Sequence, residues 1–146
     1  MASFERHVVV EWEGNLMEGK GVAKAGSGAF HLPVAFPARI GESGGKTSPE
    51  ELIAAAHASC YAMALNATLG RKSAKARKTY VTATVTADRG DAGIKIASSR
   101  LNVRVEGLEG LDRSQFLEVA KQAEAACPVS NALRGSLKIE LEAEAS

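Results

Sequence analysis

Neither sign of charge dominates the 146-residue chain: 18 lysines and arginines stand against 17 aspartates and glutamates, a formal net charge of +1. That balance gives no footing for nucleic acid or an anionic membrane as a partner. The one basic run, Arg71–Lys78, is short and sits between two regular segments, so it reads as a solvated loop. Long apolar runs are missing as well. No stretch reaches the roughly 18 consecutive apolar residues of a membrane span. Met1–Arg6 leads straight into Val8-Val9-Val10 without the apolar core of a secretion signal. The expectation is a cytoplasmic protein. Cysteine is scarce: only Cys60 and Cys127 occur, and no C-x-x-C. A chain able to bury roughly 70% of its unfolded surface needs no disulfide or metal for stability. Two cysteines in a cytosolic chain therefore point to function before structure. No repeat, linker or low-complexity stretch divides the sequence, which reads as one domain over residues 1–146.

What is present starts as β-structure. Arg6–Glu13 alternates Val8, Val10 and Trp12; Leu16–Ala25 and Ala29–Phe36 follow, with turns at Gly14-Asn15 and Gly26-Ser27-Gly28. Pro37–Lys46 holds three glycines and no period, and reads as a loop. Ser48-Pro49-Glu50-Glu51 then opens a helix: an N-cap serine, proline at the first position and acids in the first turn. The helix runs over Leu52–Leu69, with Gly70 as its expected stop. Between Leu52 and Leu65 His57 is the only strongly polar side chain, so the helix is expected to be buried on nearly all sides. Tyr80–Asp88 and Ile94–Glu106 alternate as a hairpin. Asp112-Arg113-Ser114-Gln115 is a second capping box, opening a helix to Ala126. A short helix to Arg134 follows Cys127-Pro128, Gly135 ends it, and Leu137–Leu141 closes as a strand. The order βββ-α-ββ-αα-β describes an α+β fold with a largely antiparallel sheet around a long central helix.

Cys60 lies mid-helix and Cys127 at a helix break. Taken singly, each reads as a small buried hydrophobe or a boundary residue. Together they suit a peroxidase in which one thiolate attacks the O–O bond and a second thiol condenses with the resulting sulfenic acid. Zinc fits poorly, since His7, His31 and His57 do not cluster with both thiols. No metal or cofactor is expected. An attacking thiolate needs positive charge nearby, and the candidate is Arg39, alone in an apolar stretch. Glu51 is explained by the cap, whereas Glu50 is free to orient an arginine through a bidentate pair. Glu50 and Cys60 are ten residues apart, about 15 Å along a straight helix. Two such helices packed antiparallel across a two-fold axis would bring Glu50 of one chain towards Cys60 of the other, which favours a homodimer with shared sites.

Thr47–Tyr61 resembles the central helix motif of the OsmC/Ohr peroxidases, and Ala126-Cys127-Pro128-Val129-Ser130 their second cysteine motif. Val10–Asn15 and Gly19-Lys20-Gly21 look more like the OsmC branch. The resemblance spans nearly the whole chain. It implies that Cys60 is the peroxidatic and Cys127 the resolving cysteine, that Glu50 pairs with an active-site arginine, and that Arg39 is that arginine. Ser48 stands where the motif often has asparagine; both are good N-caps. The resemblance further implies an intertwined homodimer, organic hydroperoxides as substrates, an intramolecular disulfide, and reduction by dithiols such as a protein-bound dihydrolipoyl group.

Two other classes of function remain open at this point. One is a redox-responsive or apolar-ligand-binding dimer without efficient turnover. The other is acyl transfer with Cys60 as nucleophile and His57, three residues away on the same face, as base.

Overall fold

The structure is a computed structural model and describes residues 2–146. The chain forms two compact units, one up to Leu52 and one over Ile53–Ser146.

The first unit holds three antiparallel strands, β1 (Val8–Glu13), β2 (Lys20–Ala25) and β3 (His31–Val34), paired in the order β1-β2-β3. The expected strand from Leu16 starts only at Lys20. The Asn15 side chain accepts from Glu18 N–H at 2.8 Å and its carbonyl from Gly19 N–H at 2.9 Å, so Leu16 and Met17 belong to a turn. Pro37–Lys46 is not wholly a loop. Phe36–Ile40 forms a short helix, α1, with proline in its first turn, where a missing N–H costs nothing. This unit has little core. Ala23 and Ala35 are its buried apolar residues, while every residue of β1 is exposed, including Val8, Val9, Val10 and Trp12.

The helix α2 (Pro49–Arg71) starts in the first unit and supplies the central helix of the second. Ser48 Oγ accepts from Glu51 N–H at 3.2 Å, as the cap motif requires. The Glu51 carboxylate does not complete the box; it takes the Thr47 hydroxyl at 2.6 Å. Nor does Gly70 stop the helix, which runs through it to Arg71. The left-handed residue is Ser73, at φ 54°, and Ala74 N–H closes onto Leu69 O at 2.9 Å. Burial is also narrower than expected. His57, Tyr61, Leu65, Thr68 and Leu69 form one buried stripe, whereas Ala55, Ala56, Met63 and Ala67 are exposed. By length and composition alone α2 could cross a membrane. Its stripe instead packs into the second unit's core.

In that unit β4 (Lys78–Gly90) and β5 (Gly93–Glu106) form the expected hairpin, and β6 (Lys138–Ala145) pairs with β5 in parallel. The strands thus fall into two three-stranded sheets instead of one, and the last pairing departs from the antiparallel rule. The parallel return needs a crossover, supplied by α3 (Arg113–Ala126) and α4 (Pro128–Leu133). The α3 capping box is complete: Asp112 Oδ1 accepts from Gln115 N–H at 2.8 Å, and Gln115 Oε1 from Asp112 N–H at 2.9 Å. Tyr61, Leu65 and Leu69 of α2 pack with Leu101, Val103 and Val105 of β5 and Phe116, Val119 and Ala123 of α3. Cys127 belongs to the same core.

Candidate active site

Two groups of candidate residues come together, one in each unit. In the first, Arg39 from the end of α1 meets Glu50 from the first turn of α2. Its Nε donates to Glu50 Oε1 at 2.8 Å and Oε2 at 3.0 Å. Both carboxylate oxygens converge on one nitrogen, and the two Nη groups make no hydrogen bond among the described residues. The pair is partly buried, with side chains 30% and 12% exposed, so the guanidinium is held in one orientation with its outer edge open. Arg39, expected on a loop, lies instead in the last turn of the short helix α1.

In the second unit the two thiols meet. Cys60 lies one turn beyond His57 on α2 and is partly exposed; Cys127 is fully buried at the junction of α3 and α4, both unoxidised. The junction explains why a cysteine sits there. Its backbone is extended, at φ −71° and ψ 115°, so it ends α3 and caps α4. Its sulfur accepts from Ser130 N–H at 3.5 Å. Burial pushes the Cys60 thiol up; the Val129 N–H opposes this, and the nearby Cys127 adds to it. No cationic side chain contributes to this shift, whereas an attacking thiolate is favoured by positive charge nearby.

His57 is fully buried, with Nδ1 2.7 Å from Ser99 Oγ on β5 and Nε2 2.7 Å from Ser130 Oγ on α4. Burial holds its pKa below the ordinary value, partly offset by the Glu124 charge. With both ring nitrogens occupied, none remains to take a proton from Cys60, which removes the basis for the acyl-transfer reading. Ser99 and Ser130 were not anticipated. The available signal was weak: a serine at an inward-facing strand position and another in the first turn after Cys-Pro. Among the described residues no three His, Cys, Asp or Glu side chains converge on a point that could hold a metal ion.

Comparison with known proteins bears on this arrangement. Residues 41–142 match the family model of the OsmC-like proteins. The chain belongs to the OsmC/Ohr family. Peroxiredoxin OsmC of Escherichia coli K12 is 38% identical over 133 residues, covering 90% of this chain and 91% of that protein. The organic hydroperoxide resistance protein OhrA of Bacillus subtilis is 35% identical over 98 residues, 66% of each chain. Among solved structures, OhrB of Bacillus subtilis superposes with a TM-score of 0.73 at 25% identity, over 94% of this chain and 98% of its own. An organic hydroperoxide resistance protein from Elizabethkingia anophelis covers the whole of both chains with a TM-score of 0.77 at 24% identity, a likeness of fold. The likeness to OsmC/Ohr structures therefore covers both units.

Proposed function

We propose that this chain is a two-cysteine peroxidase acting on organic hydroperoxides in the cytoplasm, with residues 1–146 working as one functional domain. The observation that carries the reading is the meeting of the chain's only two thiols, Cys60 on α2 and Cys127 at the cap of α4. The names of its relatives, peroxiredoxin and organic hydroperoxide resistance protein, agree with it. The Cys60 thiolate attacks the distal oxygen of ROOH; the O–O bond breaks, ROH leaves with a proton, and Cys60 becomes a sulfenic acid. The Cys127 thiol then attacks that sulfur, its proton leaves with the hydroxyl as water, and a Cys60–Cys127 disulfide forms. A dithiol, with dihydrolipoyl proteins as candidates, reduces the disulfide by exchange.

Arg39, oriented by Glu50, is the cation we assign to Cys60. Glu50 and Cys60 stand ten residues apart on α2, about 15 Å along its axis, so the guanidinium is assigned to the Cys60 of a second copy. The bare face of α2 and the wholly exposed β1 are surfaces such a homodimer would cover. The deciding experiment is a turnover assay with cumene, fatty-acid and hydrogen peroxides and a lipoyl-based reductant. Catalytic consumption, fastest with the organic hydroperoxides, is expected. Stoichiometric oxidation without turnover would leave a redox-responsive dimer in place of an enzyme.

A further inference from the structure

His57, Ser99 and Ser130 form a buried polar bridge that the peroxidase chemistry does not use. Each member sits on a different element: α2, β5 and α4. All three side chains are fully buried beside a largely apolar core. Such a network is costly to keep unless every polar atom is paired, and no buried side-chain atom is left unpaired among the described residues. A neutral imidazole carries one N–H and one bare nitrogen. One serine must therefore donate to the ring and the other accept from it, which fixes the ring between two oxygens.

The bridge reaches both sulfurs by short paths. His57 and Cys60 are three residues apart, on one face of α2. Ser130 takes His57 Nε2 with its hydroxyl, and its own N–H points at Cys127 Sγ. We propose that His57 is a positioning residue for disulfide formation, holding the first turn of α4, and with it Cys127, at attacking distance from Cys60 through the bond to Ser130. Attack on the Cys60 sulfenic acid forms the S–S bond and releases water, and it needs the Cys127 sulfur aligned behind the departing hydroxyl. The peroxide step needs no such alignment, because there Cys60 reacts with a diffusing molecule. The bridge therefore governs the partition of the sulfenic acid between disulfide and further oxidation. This inference rests on the two-cysteine peroxidase reading.

The test follows the two steps separately in the full-length protein. Reduced protein is mixed with one equivalent of cumene hydroperoxide; sulfenic acid is read as its dimedone adduct, and disulfide and sulfinic acid by mass spectrometry after an acid quench. Ser130→Ala is expected to slow disulfide formation about tenfold more than sulfenic acid formation, the factor one net buried hydrogen bond is worth. Sulfinic acid should rise in step. His57→Leu should do the same, and His57→Gln, which keeps a donor and an acceptor, should recover part of the loss. A purely structural role would slow both steps alike and would show no such recovery. Should His57→Leu fail to fold in a thermal melt, Ser130→Ala, a far smaller change, decides alone. Equal slowing of both steps in Ser130→Ala, or no change in either, overturns the inference while wild-type turnover keeps the peroxidase reading standing. A wild-type protein that gives neither adduct nor disulfide overturns that reading and the inference together.

Discussion

At the scale of single residues the two cysteines differ in their surroundings, and so should their variants. Cys60→Ser is expected to abolish peroxide consumption. Cys127→Ser should still reduce one equivalent and leave Cys60 as sulfenic, then sulfinic, acid, which mass spectrometry resolves; loss of that first equivalent in both would rule out the assigned roles. Arg39→Ala should raise the Cys60 pKa, read from thiolate absorbance against pH; an unchanged titration would move the search to Arg6, Lys20 and Lys46. His57 adds a pH signature. Its folded pKa lies below the unfolded value near 6.5, so the unfolded chain binds the extra proton first, and stability falls as pH drops below that value. The melting temperature of the wild type should fall more steeply than that of His57→Gln between pH 6.5 and 5, the window in which an unshifted histidine gains its proton. The pairing of Arg39 with Glu50 and the approach of Cys60 to Cys127 were legible because the arginine stands alone in an apolar stretch and the chain has only two thiols. Ser99 and Ser130 were not, because their partner lies 42 and 73 positions away and serine is ordinary at either position.

At the scale of elements, capping chemistry was the most readable signal, since it is local. Asp112-x-x-Gln115 announced α3, and both of its reciprocal bonds are present. Asp112→Ala should cost about 1 kcal/mol, seen as a lower urea midpoint with an unchanged slope. Phe116, fully buried against α2 and β5, carries more of the core; its replacement by alanine should cost about 3–5 kcal/mol. What failed at this scale failed for tertiary reasons. Gly70 looked like a stop, yet the chain keeps its helical bonds for another residue and places its left-handed turn at Ser73. The glycine-rich segment hid α1, too short for any period to show. Nothing in the alternation of Lys138–Ala145 reveals that its neighbour in the sheet is parallel; that depends on the path of α3 and α4.

At the scale of the whole molecule, Glu50 offers the sharpest test, because it asks whether one site is built from two chains. Glu50→Ala and Cys60→Ser proteins should each be impaired. Co-refolded as a heterodimer, they should regain up to about half of wild-type activity, one good site of two under two-fold symmetry. If Glu50 served the Cys60 of its own chain, mixing would recover nothing beyond the parental average, with heterodimers verified by native mass spectrometry. The sequence hinted at this scale through the all-round apolar α2, an excess that the single chain does not bury.

The exposed strand β1 also carries the chain's single tryptophan. Trp12 stands on β1, 40% exposed, with its indole N–H donating to the Gly14 carbonyl at 3.1 Å. One indole on the surface assigned to the partner makes the protein its own optical gauge of assembly, with no label to attach. Diluting it through the association range should move the emission to longer wavelength as the ring meets water, and the midpoint of that shift would give the dimer affinity directly. Emission that stays fixed at every concentration, while sedimentation shows the dimer dissociating, would mean that β1 lies outside the interface.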